Sequence, residues 1–505
     1  MYKILRAQKD AYVTDRVIDG VRKRSSNTGR ANSLDLFKLY GHTSSGSTAN
    51  IELSRLLVKF DLQPIRDLVT AGEINVTSAA FSCDLKLFDV YGGQPTPDNF
   101  TVVVYPLSRS FDEGIGKDVV LYGDTDVCNF LSGSRAQGAW LMSGCGTGGG
   151  LPGNVDYVTS STVILAGAQL SASQLFVTGE EDLDIDVTTI VSATLANLLP
   201  DQGFRIALSS SHEDDTRTYF VKRFGARTAF NESKRPRLVV RYDDSVLDDT
   251  LSLTFNASGT MFLYNYGQNA LTNLTSGSTL TQLTSSNCVA LKLRTEISGG
   301  FYDTAFTGSQ HTIGTSVVTG TYSASVYLSS FNATIASKLA TSGSVDFTPI
   351  WQSLDGTVGF LTGSKVTVNL PTTSQKVRAP SGLVLTVTDI VSTYKSTDIA
   401  LLRLNIFDHT SPTIKLVKTP VVLPGNVIRN VYYRVRDIVT DEVVVPFDTD
   451  LHSTRVSSDG DGMFFKIDMS NLTVGKTFVI DVLVSMGGTE RTYRDVSSTF
   501  TVTSS

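Results

Sequence analysis

The sequence predicts an all-β protein of three β-sandwich domains in series, jelly-roll or immunoglobulin-like in type, with a few short helices. Two observations predict this class. Charged residues make up only 18% of the 505 residues, and the polar share comes mainly from Ser, Thr, Asn and Gly. Thr suits a pleated surface, whereas Gly, Asn and Ser suit tight turns. Apolar residues recur in short alternating runs between turn formers, and the chain is too long for one core.

The first predicted domain covers residues 1–245. Its strands are short runs bounded by Gly, Asn, Asp, Ser or Pro. The clearest are residues 54–62, 79–90, 99–107, 182–187, 203–211, 217–225 and 237–242. Helical spacing of apolar residues predicts short helices at 63–72 and 187–199. The acidic run "DDSVLDD", directly after Tyr242, marks the predicted boundary.

The stretch "RTAFNESKRPRLVVRY" (227–242) is predicted to close this domain. Residues 231–236 would turn the chain into its last strand, since proline is tolerated at the first residue of a strand. Period-two alternation then places Leu238, Val240 and Tyr242 on the core face. We expect the charged half of the stretch to lie at the surface.

The second and third predicted domains cover residues 246–378 and 379–505. Both read as strands between turn formers, and a third short helix is predicted at 334–343, ended by Gly343. The boundary between them is placed in the turn-rich stretch 371–382.

Composition argues against several classes of protein. The net charge is −6 and basic residues form no long cluster, so no nucleic-acid partner is expected. No apolar run is long enough to span a membrane, and the charged N-terminus has no secretory pattern. The four cysteines have no metal-binding spacing, so we expect buried free thiols rather than a Cys128–Cys145 disulfide. No cofactor is predicted.

The segment "HEDD" (His212–Asp215) is the one place where a histidine adjoins several acids. An acid–base or metal site needs such groups to converge on one point. Adjacent residues at an extended hairpin tip fan apart instead, so a solvated hairpin is favoured. No catalytic residue is therefore predicted.

Two glycine-rich turns suggest ligands only weakly. In "SSDGDGM" (457–463), Asp459 and Asp461 resemble half of a calcium loop, but the closing glutamate of an EF-hand is missing. A β-turn before the next strand explains these residues as well. "GCGTGGGLPG" (144–153) has no Lys-Ser/Thr pair, so a flexible or tightly turning loop is favoured over a phosphate site.

Aromatic residues give one candidate binding residue. Trp140 lies beside the glycine-rich loop and is a weak candidate for stacking on a glycan. The 18 Tyr and 25 Phe are scattered at alternating strand positions, where core packing is the expected role.

Several segments of the first ~240 residues carry a resemblance. They are "KDAYVTD" (9–15), "NSLDLFKL" (32–39), "SRLLVKFDL" (54–62), "VTSAAFSCDLKLFDV" (76–90), "VVVYPLSRSFDEG" (102–114), "GFRIALSSSHE" (203–213) and "FNESKRPRLVVRY" (230–242). Together they resemble the DNRLRE family, a β-sandwich module related to carbohydrate-binding modules. Phe111 stands where that family usually has tryptophan.

Segments after residue 245 carry a second resemblance. They are "GTYSASVYLSSF" (320–331), "FTPIWQSLDGT" (347–357), residues 431–469 and "STFTV" (498–502). They are similar to modules in virion structural proteins of tailed bacteriophages, and the segment 431–469 is the most specific of them.

These resemblances imply a non-enzymatic component of a phage particle, at the neck or collar, the tail or the capsid exterior. Such a protein would assemble in the host cytoplasm, contact other virion proteins and form a homo-oligomer. A glycan-binding adhesin, with a host-surface glycan as its partner, is the alternative interpretation. A tail-associated polysaccharide hydrolase is a third and would need two carboxylates, for which Glu113 and Glu213 are the residues to test.

Overall fold

A computed structural model gives the fold of the chain. It describes residues 1–41, 50–93, 95–124, 126–161, 168–268, 270–276, 280–371, 382–408 and 427–504. Contacts divide the chain into two compact units. The N-terminal unit contains residues 3–67 and 81–241, and the C-terminal unit contains residues 1–2, 68–80 and 242–505.

Strands dominate the N-terminal part of the chain. They are β1 (Tyr2–Thr14), β2 (Val17–Ile18), β3 (Val21–Arg22), β4 (Ser33–Gly41), β5 (Asn50–Phe60), β6 (Ser82–Leu87), β7 (Phe100–Pro106), β8 (Ser132–Ser134), β9 (Gly138–Ala139), β10 (Ser160–Ser161), β11 (Ala168–Gln169), β12 (Ala172–Phe176), β13 (Leu183–Asp186), β14 (Phe204–Leu208), β15 (Tyr219–Gly225) and β16 (Arg237–Arg241). The helices are α1 (Gln63–Thr70), α2 (Thr188–Leu195) and α3 (Ser210–Asp214).

One large sheet organises the N-terminal unit. In the described ranges its order is β12-β7-β14-β5-β1-β16-β6-β13, with β4 paired to both β5 and β15. Alternating burial along β7 and β6 shows one face packed on the core, as the apolar alternation predicts. Phe100 stacks on Phe176 with ring centroids 4.9 Å apart, which joins β7 to β12.

The C-terminal unit is also built of strands. They are β17 (Ser258–Tyr264), β18 (Val289–Ile297), β19 (Gly300–Ile313), β20 (Ser316–Tyr327), β21 (Ser344–Gln352), β22 (Gly359–Thr362), β23 (Val366–Asn369), β24 (Leu383–Thr388), β25 (Thr393–Lys395), β26 (Ile399–Asp408), β27 (Val431–Asp437), β28 (Val443–Val445), β29 (Ser457–Asp459), β30 (Gly462–Asp468), β31 (Thr477–Met486), β32 (Thr489–Tyr493) and β33 (Phe500–Thr503). One longer helix, α4 (Ala333–Ser342), accompanies them.

Three main sheets form in this unit, counting only the strands that the structure describes. The first has the order β17-β20-β19-β18-β21-β22, with β23 beside β21. The second is β24-β26-β30-β29, and the third is β25-β33-β31-β27-β28 with β32 beside β31. Tyr433 of β27 stacks on Phe465 of β30 at 4.7 Å, so the second and third sheets pack face to face.

Helix α4 packs on the first of these sheets through Ile335 and Leu339, which are buried in its core. Asn332 caps the helix by accepting hydrogen bonds from two backbone N–H groups of the first turn. Gly343 ends it in the left-handed conformation, with φ of 71°. The predicted end of this helix is confirmed.

The segment 243–249 belongs to the C-terminal unit and is hydrogen-bonded to strands of two of its sheets. Leu247 forms a parallel bridge with Ser458 of β29. The carboxylate of Asp249 accepts hydrogen bonds from Arg429 at 2.6 and 2.8 Å and from the N–H of Thr260 in β17 at 3.0 Å. The acidic run is therefore a structured connection, held by ion pairs.

The all-β fold class is confirmed. The seven strands predicted in the first 245 residues and the three predicted helices are all present. Residues Thr250–Ser252 form a 3-10 turn before β17. The division into three domains stays a prediction, and its boundary at 378/379 lies outside the described residues.

The closing strand has the predicted core residues. Leu238 and Val240 are fully buried, and Tyr242 is 3% exposed. Residues 232–234 form a 3-10 turn capped by Asn231, as the turn chemistry indicates.

Arg227 and Arg241 of this stretch are each 28% exposed and are paired with Glu113 and Asp84. Arg241 lies 2.5 Å from Asp84. All four cysteines are buried free thiols, as expected. Among the described residues, no helix is long and apolar enough to cross a membrane.

Candidate functional site

The acidic cluster His212–Asp215 lies mainly on α3 rather than on an extended hairpin tip. Glu213 accepts hydrogen bonds from Nε and Nη2 of Arg55, at 2.9 and 2.7 Å. Arg205, which is 3% exposed, lies 3.8 Å from the same carboxylate. The prediction of a solvated hairpin was wrong here, because buried arginines bind the acid that was expected to face water.

Asp215, like Glu213, binds a basic side chain of the same unit. Its carboxylate accepts hydrogen bonds from Lys38 Nζ at 2.5 Å and from the hydroxyl of Tyr219 at 2.6 Å. Lys38 is fully buried. Burial raises the pKa of Asp215, but these hydrogen bonds outweigh it and lower the pKa to about 2. The acid therefore neutralises a buried cation.

The glycine-rich loop 144–153 is fixed by the same arginines. Arg55 donates to the carbonyl of Gly144 at 2.8 Å, and Arg205 donates to the next carbonyl at 3.0 Å. The buried carboxylate of Asp156 accepts three backbone N–H groups of this region at 2.9–3.1 Å. The loop turns tightly around these side chains.

Glu113, the other carboxylate considered for hydrolysis, is held by Arg227 through two hydrogen bonds of 2.9 and 2.6 Å. The neighbouring Asp10 accepts the backbone N–H of Arg227 at 2.5 Å. Burial raises the pKa of Asp10 to about 7, and the charge of Glu113 adds to that effect. Asp10 is 1% exposed, which leaves no approach for a substrate.

Trp140, the predicted glycan-stacking residue, packs in the interior. It is 6% exposed and belongs to a core cluster with Phe111 and Leu107. Its indole N–H donates to the carbonyl of Asn129 at 2.9 Å. The structure thus leaves no open ring face on Trp140 for a sugar to stack on.

The two calcium candidates lie at the hairpin between β29 and β30. Asp459 accepts hydrogen bonds from Arg403 at 2.6 Å and from the backbone N–H of Asp461 at 2.9 Å. The side chain of Asp461 is 89% exposed. In the described ranges, no group of three or more His, Cys, Asp or Glu side chains is placed to hold a metal.

A large concavity lies elsewhere, in the C-terminal unit. Two cavities of about 750 and 240 Å³ share the lining residues Tyr264, Tyr266, Arg403 and Asp459. We refer to the two together as the aromatic cleft. Its walls come from β17 and the residues after it, from β19 and β20, from residues 349–369, and from β26, β29 and β30. A cleft of this size is typical of sites for small organic ligands.

A ladder of three aromatic residues forms one wall of the aromatic cleft. Strand alternation buries Met261 and Leu263 in the sheet core and turns Phe262 and Tyr264 to the opposite face. The rings of Phe262 and Tyr264 are nearly parallel, with an interplanar angle of 13° and centroids 6.1 Å apart. Tyr266, two residues beyond the end of β17, also lines the cleft and is 74% exposed.

The facing wall is polar. Register places Arg403 of β26 opposite Phe464 of β30, and the guanidinium carbon lies 5.3 Å from the centroid of that ring. The hydrogen bond between Arg403 and Asp459 fixes the guanidinium. The wall thus presents an ion pair whose remaining N–H groups and lone pairs can bind a ligand.

Two buried groups set the electrostatics of the cleft. Asp248 is 3% exposed, and burial raises its pKa to about 6 against the hydrogen bonds from Thr250. The hydroxyl of Tyr264 is buried and has no hydrogen-bond partner in the part of the chain that the structure describes. Its pKa is raised by burial and by the charges of Asp248 and Asp459.

This site is not among those predicted from the sequence. Core packing was the expected role of the Phe and Tyr residues, whereas Phe262 and Tyr264 face away from the core of their sheet. The signal was present in "MFLYNY" (261–266), where aromatic residues alternate with Met261, Leu263 and Asn265. When both faces of a strand are apolar, the face that points away from the core is also expected to be covered by another part of the protein or by a ligand.

Comparisons with known proteins show no family for this chain. No protein-family model matches it, and no curated protein does. Among solved structures, the FN1–FN3 domains of chicken CNTN1 are 10% identical, and the match covers 63% of this chain and 80% of that one with a TM-score of 0.14.

Proposed function

We propose that this protein is a non-enzymatic structural component of a tailed phage particle and acts through protein–protein assembly. The resemblance of residues 320–331, 347–357, 431–469 and 498–502 to virion proteins supports the proposal. The ion pairs of the N-terminal unit also support it. Glu113, Glu213 and Asp215 each bind a basic side chain of the same unit, and such pairing is more typical of a structural role than of acid–base catalysis.

One observation carries the assembly function. The outer face of the β24–β26 pair has three large apolar side chains that are 39–61% exposed and line neither cavity: Val384, Ile399 and Phe407. Their strand neighbours Leu385, Ala400, Leu402 and Ile406 fill the core on the other face. Register sets Val384 directly opposite Phe407. An exposed apolar face of this kind is typical of protein–protein contacts.

The first experiment looks for the protein in particles. Mass spectrometry of purified virions should find the chain in a fixed ratio to the major capsid protein, and an electron-microscopy map should place it at repeated positions. If the chain occurs only in infected-cell lysate and never in purified virions, the proposal fails.

A variant then tests the apolar face. Phe407→Asp should remove the protein from particles, because a buried unpaired charge is costly in a contact, while the free protein stays folded. Val443→Asp is the matched control, since Val443 is 42% exposed on β28, in a different sheet. Equal incorporation of both variants would show that assembly does not use the β24–β26 face.

A further inference from the structure

We propose that the aromatic cleft of the C-terminal unit binds an uncharged saccharide. This inference concerns a binding activity of the free chain and does not depend on a role in a particle. It also places glycan binding at a different site from Trp140, which lies in the N-terminal unit and is buried.

The ring ladder supplies a stacking surface. The rings of Phe262 and Tyr264 are nearly parallel and lie two residues apart on β17. Tyr266 follows two residues after the strand and is 74% exposed. Aromatic faces carry partial negative charge and attract the polarised C–H groups on the flat side of a sugar ring.

The charged groups that line the cleft nearly balance. Five acids and four bases line it: Glu73, Asp244, Asp248, Asp459, Asp461, Lys365, Arg403, Arg455 and Lys466. Arg403 is paired with Asp459 at 2.6 Å and Arg455 with Asp243 at 2.7 Å. An ionic ligand would have to compete with these pairs. Hydroxyl groups need not do so, because a guanidinium has five N–H donors and a carboxylate has about four acceptor positions.

His311, which also lines the cleft, adds a group that can bind a sugar hydroxyl. His311 meets the ring of Phe262 edge-on, with centroids 5.0 Å apart. Burial lowers the pKa of His311, so its imidazole is neutral at pH 7 and can both donate and accept a hydrogen bond. Stacking rings with a few directional polar groups are what a hydroxyl-rich, uncharged ligand requires.

Titration calorimetry of the full chain tests the proposal with maltotriose, cellotriose and chitotriose as probes. At least one should bind, and Tyr266→Ala should weaken that binding about tenfold, since one stacked ring is removed. Tyr327→Ala is the matched control. Tyr327 is 53% exposed on β20 of the same sheet and lines neither cavity, so its loss should leave binding unchanged.

Three results would overturn the proposal. One is that none of the three neutral probes binds. Another is that a probe binds equally well to Tyr266→Ala and the parent chain, which would place the site elsewhere. The third is preferential binding of a charged probe, such as an oligogalacturonate, which would contradict an uncharged ligand.

Discussion

Arg55 donates two hydrogen bonds to Glu213, from Nε to Oε1 at 2.9 Å and from Nη2 to Oε2 at 2.7 Å. Both side chains are only 11–13% exposed. A second arginine, Arg205, stands 3.8 Å from the same carboxylate and is itself 3% exposed. One acid therefore balances two cations in the N-terminal unit. This geometry makes Glu213 a structural residue.

Replacing Glu213 with alanine should destabilise the N-terminal unit strongly. The change leaves two nearly buried guanidinium groups without a countercharge, and breaking a buried ion pair in this way costs about 3 kcal/mol or more. Urea unfolding at pH 7, followed by circular dichroism, would measure the loss. Glu213→Gln keeps one acceptor and should lose less.

Asp214→Ala is the control for this experiment. Asp214 is the next residue on α3 and is exposed, so its replacement should change the free energy of unfolding by less than about 0.5 kcal/mol. Equal effects at the two positions would mean that the arginines do not depend on Glu213.

Asp10 should make the N-terminal unit less stable as the pH rises. Its pKa is raised by burial from the usual value near 4 to about 7 in the folded chain. Between these values the folded state holds a proton that the unfolded state has released, so stability falls from pH 4 to pH 7 and then levels off. If the whole shift is expressed, the change is about 4 kcal/mol.

Asp10→Asn tests this dependence, because asparagine resembles the protonated acid and keeps an acceptor for the N–H of Arg227. The difference in unfolding free energy between variant and parent should grow with pH up to about 7. Asp19→Asn, at an exposed position, should give a constant difference. A constant difference for Asp10→Asn as well would contradict the raised pKa.

Local patterns were sufficient to predict most elements of this fold. Alternation and turn residues located β14, β15 and β16, and the cap and C-terminal glycine located α4, because these signals act over a few residues. Helix α3 was missed. Its five residues have no apolar periodicity, and what holds the cluster is Arg55 and Lys38, which are more than 150 residues away in sequence.

The candidate site was harder to predict for the same reason. Alternation in residues 261–266 places three rings on one strand face, but it does not say whether that face meets solvent, another sheet or a cavity. The answer depends on Arg403 and Asp459, which come from strands more than 130 residues further along the chain. Sequence spacing carries no information about such contacts.

The closing strand allows a test of the predicted core. Leu238 is fully buried, so Leu238→Ala should destabilise the N-terminal unit by about 2–5 kcal/mol through lost burial and the remaining cavity. Leu175→Ala, on the edge strand β12, is the matched control because Leu175 is 59% exposed. Thermal or urea unfolding of both variants would measure the contrast, and similar losses would argue against a core role for Leu238.

Two tyrosines of the same sheet should respond oppositely to loss of their hydroxyl groups. The hydroxyl of Tyr264 is buried without a partner among the described residues, and such a group costs about 1–3 kcal/mol. The hydroxyl of Tyr322 donates to the carbonyl of Leu283 at 2.8 Å and accepts the N–H of Leu274 at 2.9 Å. Tyr264→Phe should therefore raise the free energy of unfolding of the C-terminal unit by about 1 kcal/mol, and Tyr322→Phe should lower it by a similar amount. Both changes would appear as shifts of the urea midpoint. A lower midpoint for Tyr264→Phe would show that its hydroxyl has a partner, such as an ordered water, in the wall of the cleft.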